Sequence, residues 1–251
     1  MSKFADFCAE YFNKYFPLHP TEAIYYGVEG YDHLLIDYSD DSYRAEKALV
    51  EESLAKLKQI SVYDLDQDEA IDYAMLEGRL TIQQYEHAKE DYRLKWPDTY
   101  SPIDAIYILT VRATNDLSGN LLSRLERTPG LIQQGIANLS RTAANPPRLW
   151  TEMATESARG GLSFLDTLPN HPKVQAEVKD AAGLRRGIEK AKTAIGDFAG
   201  FLERDLLPRS NGAYAVGAEH FNLLLSKKHF LNHDASSLLA FGEELVAKTK
   251  G

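Results

Sequence analysis

Cysteine is almost absent from this chain: among 251 residues only Cys8 carries a thiol. A single thiol excludes an internal disulfide framework and any zinc or iron–sulfur site built from several cysteines. Long apolar runs are missing too. No stretch reaches the roughly 20 uninterrupted apolar residues of a membrane-spanning helix, so no membrane role is expected. The opening Met1-Ser2-Lys3-Phe4-Ala5-Asp6 brings charge in early, and Glu10 follows. That leaves no space for the apolar run of roughly 7–15 residues in a secretory signal, and a cytoplasmic setting follows by default. Basic charge is in deficit, with 28 Lys and Arg against 37 Asp and Glu and a net charge of -9. The richest basic cluster, Arg185-Arg186 with Lys190 and Lys192, is interrupted by Glu189. Nucleic-acid binding, which needs a basic footprint to displace phosphate counterions, is not expected.

What is present is helix-forming sequence. Leucine far outnumbers valine, and good helix formers outweigh β-branched residues throughout. Phe4, Phe7, Cys8, Tyr11, Phe12, Tyr15 and Phe16 recur at steps of three and four, which puts them on one helical face. That helix is expected to stop before Pro17. Further helices are expected after Pro20, over Asp41–Ile60, from Asp64–Glu69 to about Leu94, and after Ser101-Pro102. Ile103 to Val111 is apolar nearly all round and reads as central and buried. Thr128-Pro129-Gly130 is expected to separate two helices, and Gly160-Gly161 to interrupt another. Val174, Val178, Ala181, Leu184, Ile188, Ala191, Ile195, Phe198 and Leu202 approximate a heptad seam. They predict one long helix near residues 172–207, with its four glycines allowing close contact with neighbours. Helices near Val216–Leu225 and from Asp234 or Ser236 complete an all-α, multi-helix chain. No repeat, linker or composition shift appears, so residues 1–251 read as a single domain.

Chemistry-bearing motifs are sparse. His229 and His233 are four apart, but a zinc site needs three or four ligands, and the peptidase form needs glutamate where Phe230 stands. Asp234 reads as a helix N-cap, which places a loop between those histidines. A stand-alone metal site on His220, His229 and His233 lacks a general base. Neither a Gly-x-Ser-x-Gly elbow nor a phosphate-binding glycine loop is present. Cys8 sits on the aromatic face and reads as a small buried hydrophobe. Asp64, Asp66, Asp68 and Glu69 suit the positive end of a helix dipole rather than a calcium loop. No catalytic, cofactor-binding or metal-ligating residue is assigned within the chain.

Three groups of residues carry a family resemblance. The first is Tyr15-Phe16-Pro17-Leu18-His19-Pro20-Thr21-Glu22-Ala23, followed by Gly27, Tyr31-Asp32, Leu34 and Asp37-Tyr38-Ser39. The second is Leu65, Ile71-Asp72-Tyr73 and Leu76. The third is Phe201-Leu202, Leu206-Leu207-Pro208, Gly212, Val216-Gly217, Phe221 and Leu225. Together they resemble the amino-terminal half of the bacterial domain-of-unknown-function 885 family, whose members look like zincin-type helical metallopeptidases. Phe221 stands where family members typically carry tyrosine, so a hydroxyl is missing here.

The resemblance implies half of a larger helical cleft protein, a fragment whose catalytic half lies beyond Gly251. The His-Glu-x-x-His helix, and with it the zinc, is expected only in that missing C-terminal half. This chain would then bind no cofactor and be inactive alone, forming one wall of a cleft for a peptide substrate. Its partner would be the C-terminal half of the same polypeptide, docked on an apolar face. Gly217, His220 and Phe221, nearest in sequence to the missing half, are the expected cleft-lining residues. The alternative is a stand-alone helical protein- or peptide-binding module, with tyrosines on its recognition surface.

Overall fold

A computed structural model describes residues 2–250. Among them are eleven α-helices and no strand, as the leucine-rich periodicity requires. In chain order they are α1 (Lys3–Leu18), α2 (Pro20–Tyr25), α3 (Asp40–Leu57), α4 (Gln67–Lys89), α5 (Ile103–Val111) and α6 (Leu117–Leu139). Then come α7 (Arg148–Thr167), α8 (Pro172–Glu177), α9 (Ala181–Phe201), α10 (Gly217–Lys227) and α11 (Ala235–Lys250). No helix of the described residues is long and apolar enough to cross a membrane.

The helices gather into two compact units. One takes the chain up to Phe12, Glu46–Glu90 and the chain from Ala213; the other takes Asn13–Ala45 and Asp91–Gly212. Each unit is assembled from separated stretches, so no one linker or change of composition marks a boundary in the sequence.

The second unit has an extensive apolar core built mainly on α6, α7 and α9. Leu121 and Leu125 from α6, Leu165 from α7 and Ile188, Ile195 and Phe198 from α9 are all buried there. Several expected breaks do not occur. Pro17 lies inside the last turn of α1, where its missing N–H forfeits one bond to a helix already ending. Pro129 lies in the middle of α6. A proline there costs about 3 kcal/mol, but Leu125, Leu131 and Ile132 on both sides of it are buried, each worth about 1.5–3 kcal/mol. Thr128, just before it, donates its hydroxyl to the Arg124 carbonyl at 2.9 Å.

Gly160-Gly161 leaves α7 unbroken. A Cβ at Gly161 would come within 2.6 Å of Ile103, so this glycine lets α7 approach α5. The heptad seam is interrupted: Val174 is buried on the short α8, Val178 is extended, and the Asp180 carboxylate accepts the Gly183 N–H at 2.7 Å. Local capping thus restarts the chain, and the long helix begins at Ala181 rather than near 172. It continues through a π-turn at Leu202–Leu206 toward Pro208. Of its glycines only Gly187 faces a neighbouring helix, 3.1 Å from the Leu125 side chain.

Two buried arginines in this unit have opposite surroundings. Arg93 donates to Asp91, to Asp40 at 2.9 Å and to the Tyr38 carbonyl at 3.0 Å. Its guanidinium lies 4.1 Å from the centre of the Tyr43 ring. The Tyr100 hydroxyl donates to the Arg93 carbonyl at 2.7 Å, and Asn138 donates to both Tyr38 and Tyr100. Burial alone would lower the pKa of Arg93, but Asp91 and Asp40 outweigh it and hold it above its ordinary range. Arg124 is fully buried, gives one bond to the Ala105 carbonyl, and leaves Nε and Nη2 without a partner. Burial pushes its pKa down to about 10.

Removing a paired buried charge strands its partners, whereas replacing an unpaired one with an apolar side chain removes a desolvation cost. Arg93→Met is expected to destabilise the protein by about 3–5 kcal/mol. Arg124→Met should be neutral or stabilising, both effects being read from urea unfolding midpoints. Equal losses from the two substitutions would contradict this account of the polar centre.

Candidate functional site

The first unit carries a cavity of about 700 Å³ bounded by three helical stripes. Phe4, Cys8 and Phe12 supply it from α1 at steps of four, a single line down one helix face. Asp72, Met75, Leu76, Arg79, Ile82 and Glu86 supply it from α4 at steps of three and four, and Leu224, Lys227 and Lys228 come from the end of α10. The walls are apolar toward the interior, with both signs of charge present. The Cys8 thiol is pushed up by burial and by the nearby Asp72 and Glu69 carboxylates, which makes it a poor nucleophile.

A close backbone approach holds α10 on α4. A Cβ at Gly78 would lie 2.3 Å from the Lys227 carbonyl oxygen, so only glycine lets the two helices meet there. Cross-helix contacts line the same seam. Lys227 donates to Glu77 at 2.9 Å, Lys89 donates to Glu219 at 3.3 Å, and His220 Nε2 lies 3.1 Å from Glu86 Oε1. The Tyr85 hydroxyl and the Lys89 ammonium hold the Glu219 carboxyl below the usual carboxylate range. Lys227 with Glu77 and Lys89 with Glu219 pair opposite charges across the seam, and the arrangement reads as a clamp. Further back on α4, Asp66 and Glu69 form a reciprocal capping box, which accounts for the acidic run that precedes that helix.

A second cavity of about 690 Å³ lies between α10 and α11, lined by Phe221, Leu238, Leu239, Gly242, Val246 and Ala247 among others. No residue of α11 is buried, and Leu239, Phe241, Leu245 and Val246 are each at least half exposed. The start of α11 is well defined all the same. The Asp234 carboxylate accepts the Ser237 N–H at 2.8 Å and the Ser236 hydroxyl at 2.7 Å, and the Ala235 N–H reaches the Asn222 side chain at 2.7 Å. These bonds, the Ser237 N–H first, bring the Asp234 pKa down to about 2.

Residues 20–251 match the model of a family described as bacterial protein of unknown function (DUF885). The chain belongs to this family. No curated protein matches it. Among solved structures, one described as a "putative lipoprotein of unknown function" from Shewanella oneidensis aligns with a TM-score of 0.79 at 21% identity. The alignment covers 100% of this chain and 46% of that one, so the chain spans under half the length of this structural relative. At that identity the likeness shows a shared fold.

The residues expected from sequence to line a cleft do not converge on one point. Gly217 opens α10 with φ 82°, where glycine alone is unstrained. His220 turns toward α4, its ring centre 5.2 Å from that of Tyr85. Phe221, one residue on, faces the groove with α11. His229 and His233 lie between α10 and α11, as the N-cap at Asp234 requires, and His233 Nδ1 is 3.3 Å from the Ser237 hydroxyl. No group of three or more His, Cys, Asp or Glu side chains among the described residues is placed to hold a metal ion. Sequence reasoning missed the α1–α4–α10 cavity, because its Phe4–Cys8–Phe12 line looks the same as a core stripe. The one usable signal was a mixed stripe on α4, with Asp72, Arg79 and Glu86 interleaved among Met75, Leu76 and Ile82.

Gly78→Ala is expected to force α4 and α10 apart and cost about 1–3 kcal/mol, read as a lower urea midpoint. Gly196→Ala, where nothing lies within 4 Å of the added methyl, should not destabilise; an equal loss there would refute the close-approach argument. Because the folded Asp234 carboxyl titrates below its ordinary value, its capping contribution is complete above about pH 4 and is lost as the pH falls toward about 2. An NMR titration should show the Ser237 amide moving with a midpoint near 2; a midpoint near the ordinary aspartate value would contradict the cap.

Proposed function

We propose that this chain is the non-catalytic, amino-terminal helical region of a longer zinc-dependent peptidase, forming one wall of the cleft that receives a peptide. The observation that carries the reading is the bare apolar face of α10 and α11. Leu239 and Val246, two turns apart on one side of a capped, regular helix, are at least half exposed in the groove that Phe221 of α10 also lines, and exposed apolar surface of that kind marks an interaction site. The structural relative extends over more than twice the aligned length, and that supports a C-terminal half of the same polypeptide as the occupant. The sequence resemblance to zincin-like peptidases supports the choice of chemistry. His229 and His233 have Phe230 between them and no third ligand grouped with them, so the proposal assigns zinc, its ligands and the general base to that other half. Zinc there would polarise a peptide carbonyl and activate water. The residues of this chain would position the peptide and exclude solvent.

The test is made on the full-length protein and on this chain alone. Full-length protein is expected to retain about one zinc per chain and to hydrolyse a peptide library, while this chain does neither. The chain alone should self-associate through α10–α11 and become monodisperse when co-expressed with the downstream polypeptide. Leu239→Asp with Val246→Asp should abolish that pairing while leaving the circular dichroism unchanged. Full-length protein without zinc or peptidase activity would end the peptidase reading. A monodisperse chain indifferent to the downstream polypeptide would favour a stand-alone binding module.

A further inference from the structure

We infer that the α1–α4–α10 cavity is a binding site for a neutral small molecule with an aromatic or branched apolar body and one N–H or O–H donor. This goes beyond the peptidase reading and does not depend on it. Four observations carry it. The cavity, at about 700 Å³, falls within the range of small-molecule sites, which are concave, mostly apolar and furnished with few polar groups. Its walls hold phenyl rings from α1 and the Met75 thioether from α4, surfaces that favour flat or branched apolar groups.

The third observation is Phe230. It follows α10, lines the cavity, and has φ 53°, the only non-glycine residue among those described with positive φ. The backbone there is fixed by His229 N–H to the Leu224 carbonyl at 3.1 Å and Leu231 N–H to the Leu225 carbonyl at 2.9 Å. Glycine or asparagine adopts this conformation at less cost than an aromatic residue. A strained residue held where its ring lines a cavity points from the outlier to a role for the ring. The fourth observation is Gln83, also on the wall, whose Oε1 is buried with no hydrogen-bond partner. An unsatisfied buried acceptor is costly, and a ligand donor would satisfy it.

Charge narrows the ligand further. Lys227 is neutralised by Glu77, and Asp72 and Glu86 stand around the cavity against Arg79 and Lys228. Neither sign prevails, so the site offers no advantage to a strongly charged ligand.

The probe is N-phenyl-naphthylamine, a neutral aromatic amine with one N–H whose fluorescence rises in apolar surroundings, titrated into the chain. Cys8, the sole cysteine and a wall residue, reports occupancy through its rate of modification by a maleimide. Saturable binding with one site is expected, together with at least about 10-fold protection of Cys8 at probe concentrations about ten times Kd. Phe230→Gly should keep or raise Tm, because it relieves the backbone, yet weaken the probe about 10-fold or more. Gln83→Leu should weaken it about 3- to 10-fold. Leu239→Ser, in the separate α10–α11 groove, should leave Kd unchanged. Non-saturable binding, or binding that leaves Cys8 unprotected, overturns the proposal. Affinity lost in Leu239→Ser but kept in Phe230→Gly would assign the probe to the other groove and overturn it equally. An anionic naphthalene sulfonate binding more than about 10-fold tighter would overturn the neutral-ligand assignment.

Discussion

The guanidinium of Arg93 is the constraint on which the larger unit depends. It arrives on a short 3-10 turn, outside any long helix, yet it ties together residues far apart in the chain. Asp40 and Tyr38 precede it by about fifty positions, and Asn138 on α6 joins through Tyr38 and Tyr100. Arg141, just beyond α6, shares Asp40, and the Arg141 and Arg93 hydrogen bonds hold the Asp40 carboxyl below its usual range. Hydrophobic burial over α6, α7 and α9 supplies most of the driving force, but it is non-directional. The polar knot is directional, and every member has a partner, the condition under which a buried network specifies one arrangement. Arg124 shows the contrast: the same side chain, equally buried, with two N–H groups unsatisfied.

In the smaller unit the determining feature is a missing atom. Gly78 has no Cβ, α10 can therefore touch α4 backbone to backbone, and the acid–base contacts along the seam fall into register. The same approach brings the end of α10 beside α1 and α4 and so encloses the cavity. Stability and binding surface thus come from one contact. α11 makes the opposite use of its apolar residues, presenting them outward from a start fixed by Asp234.

Much of this was legible in the sequence, for identifiable reasons. Helix identity followed from apolar periodicity, and the loop between His229 and His233 followed from Asp234. Prolines and glycines misled where tertiary burial outweighed local preference: Pro129 is carried inside α6 by the buried leucines on either side, and Gly161 serves contact with Ile103 rather than a break. The heptad seam failed at Val178 because periodicity cannot register the competing cap at Asp180, two residues on. Candidate sites were less legible still. His220 and Phe221 are adjacent in sequence and part company in space, since neighbouring helix positions face about 100° apart. The cavity combines three helices distant in sequence, and two of the features that single it out, Phe230's φ angle and the unpaired Gln83 oxygen, are invisible in sequence. Family membership is shown over residues 20–251, but the family itself carries no assigned function.

Hydrogen–deuterium exchange of the chain alone is the most direct test of the central claim, that α6 and α9 anchor a buried core while the α10–α11 groove stands open. Amides of α6 and α9, surrounded by buried side chains, should exchange slowest and set the global rate. Amides of α11, none of whose residues is buried, should exchange at least about 100-fold faster. Protection of α11 equal to that of α6 would contradict the account, because it would mean that this face is already covered.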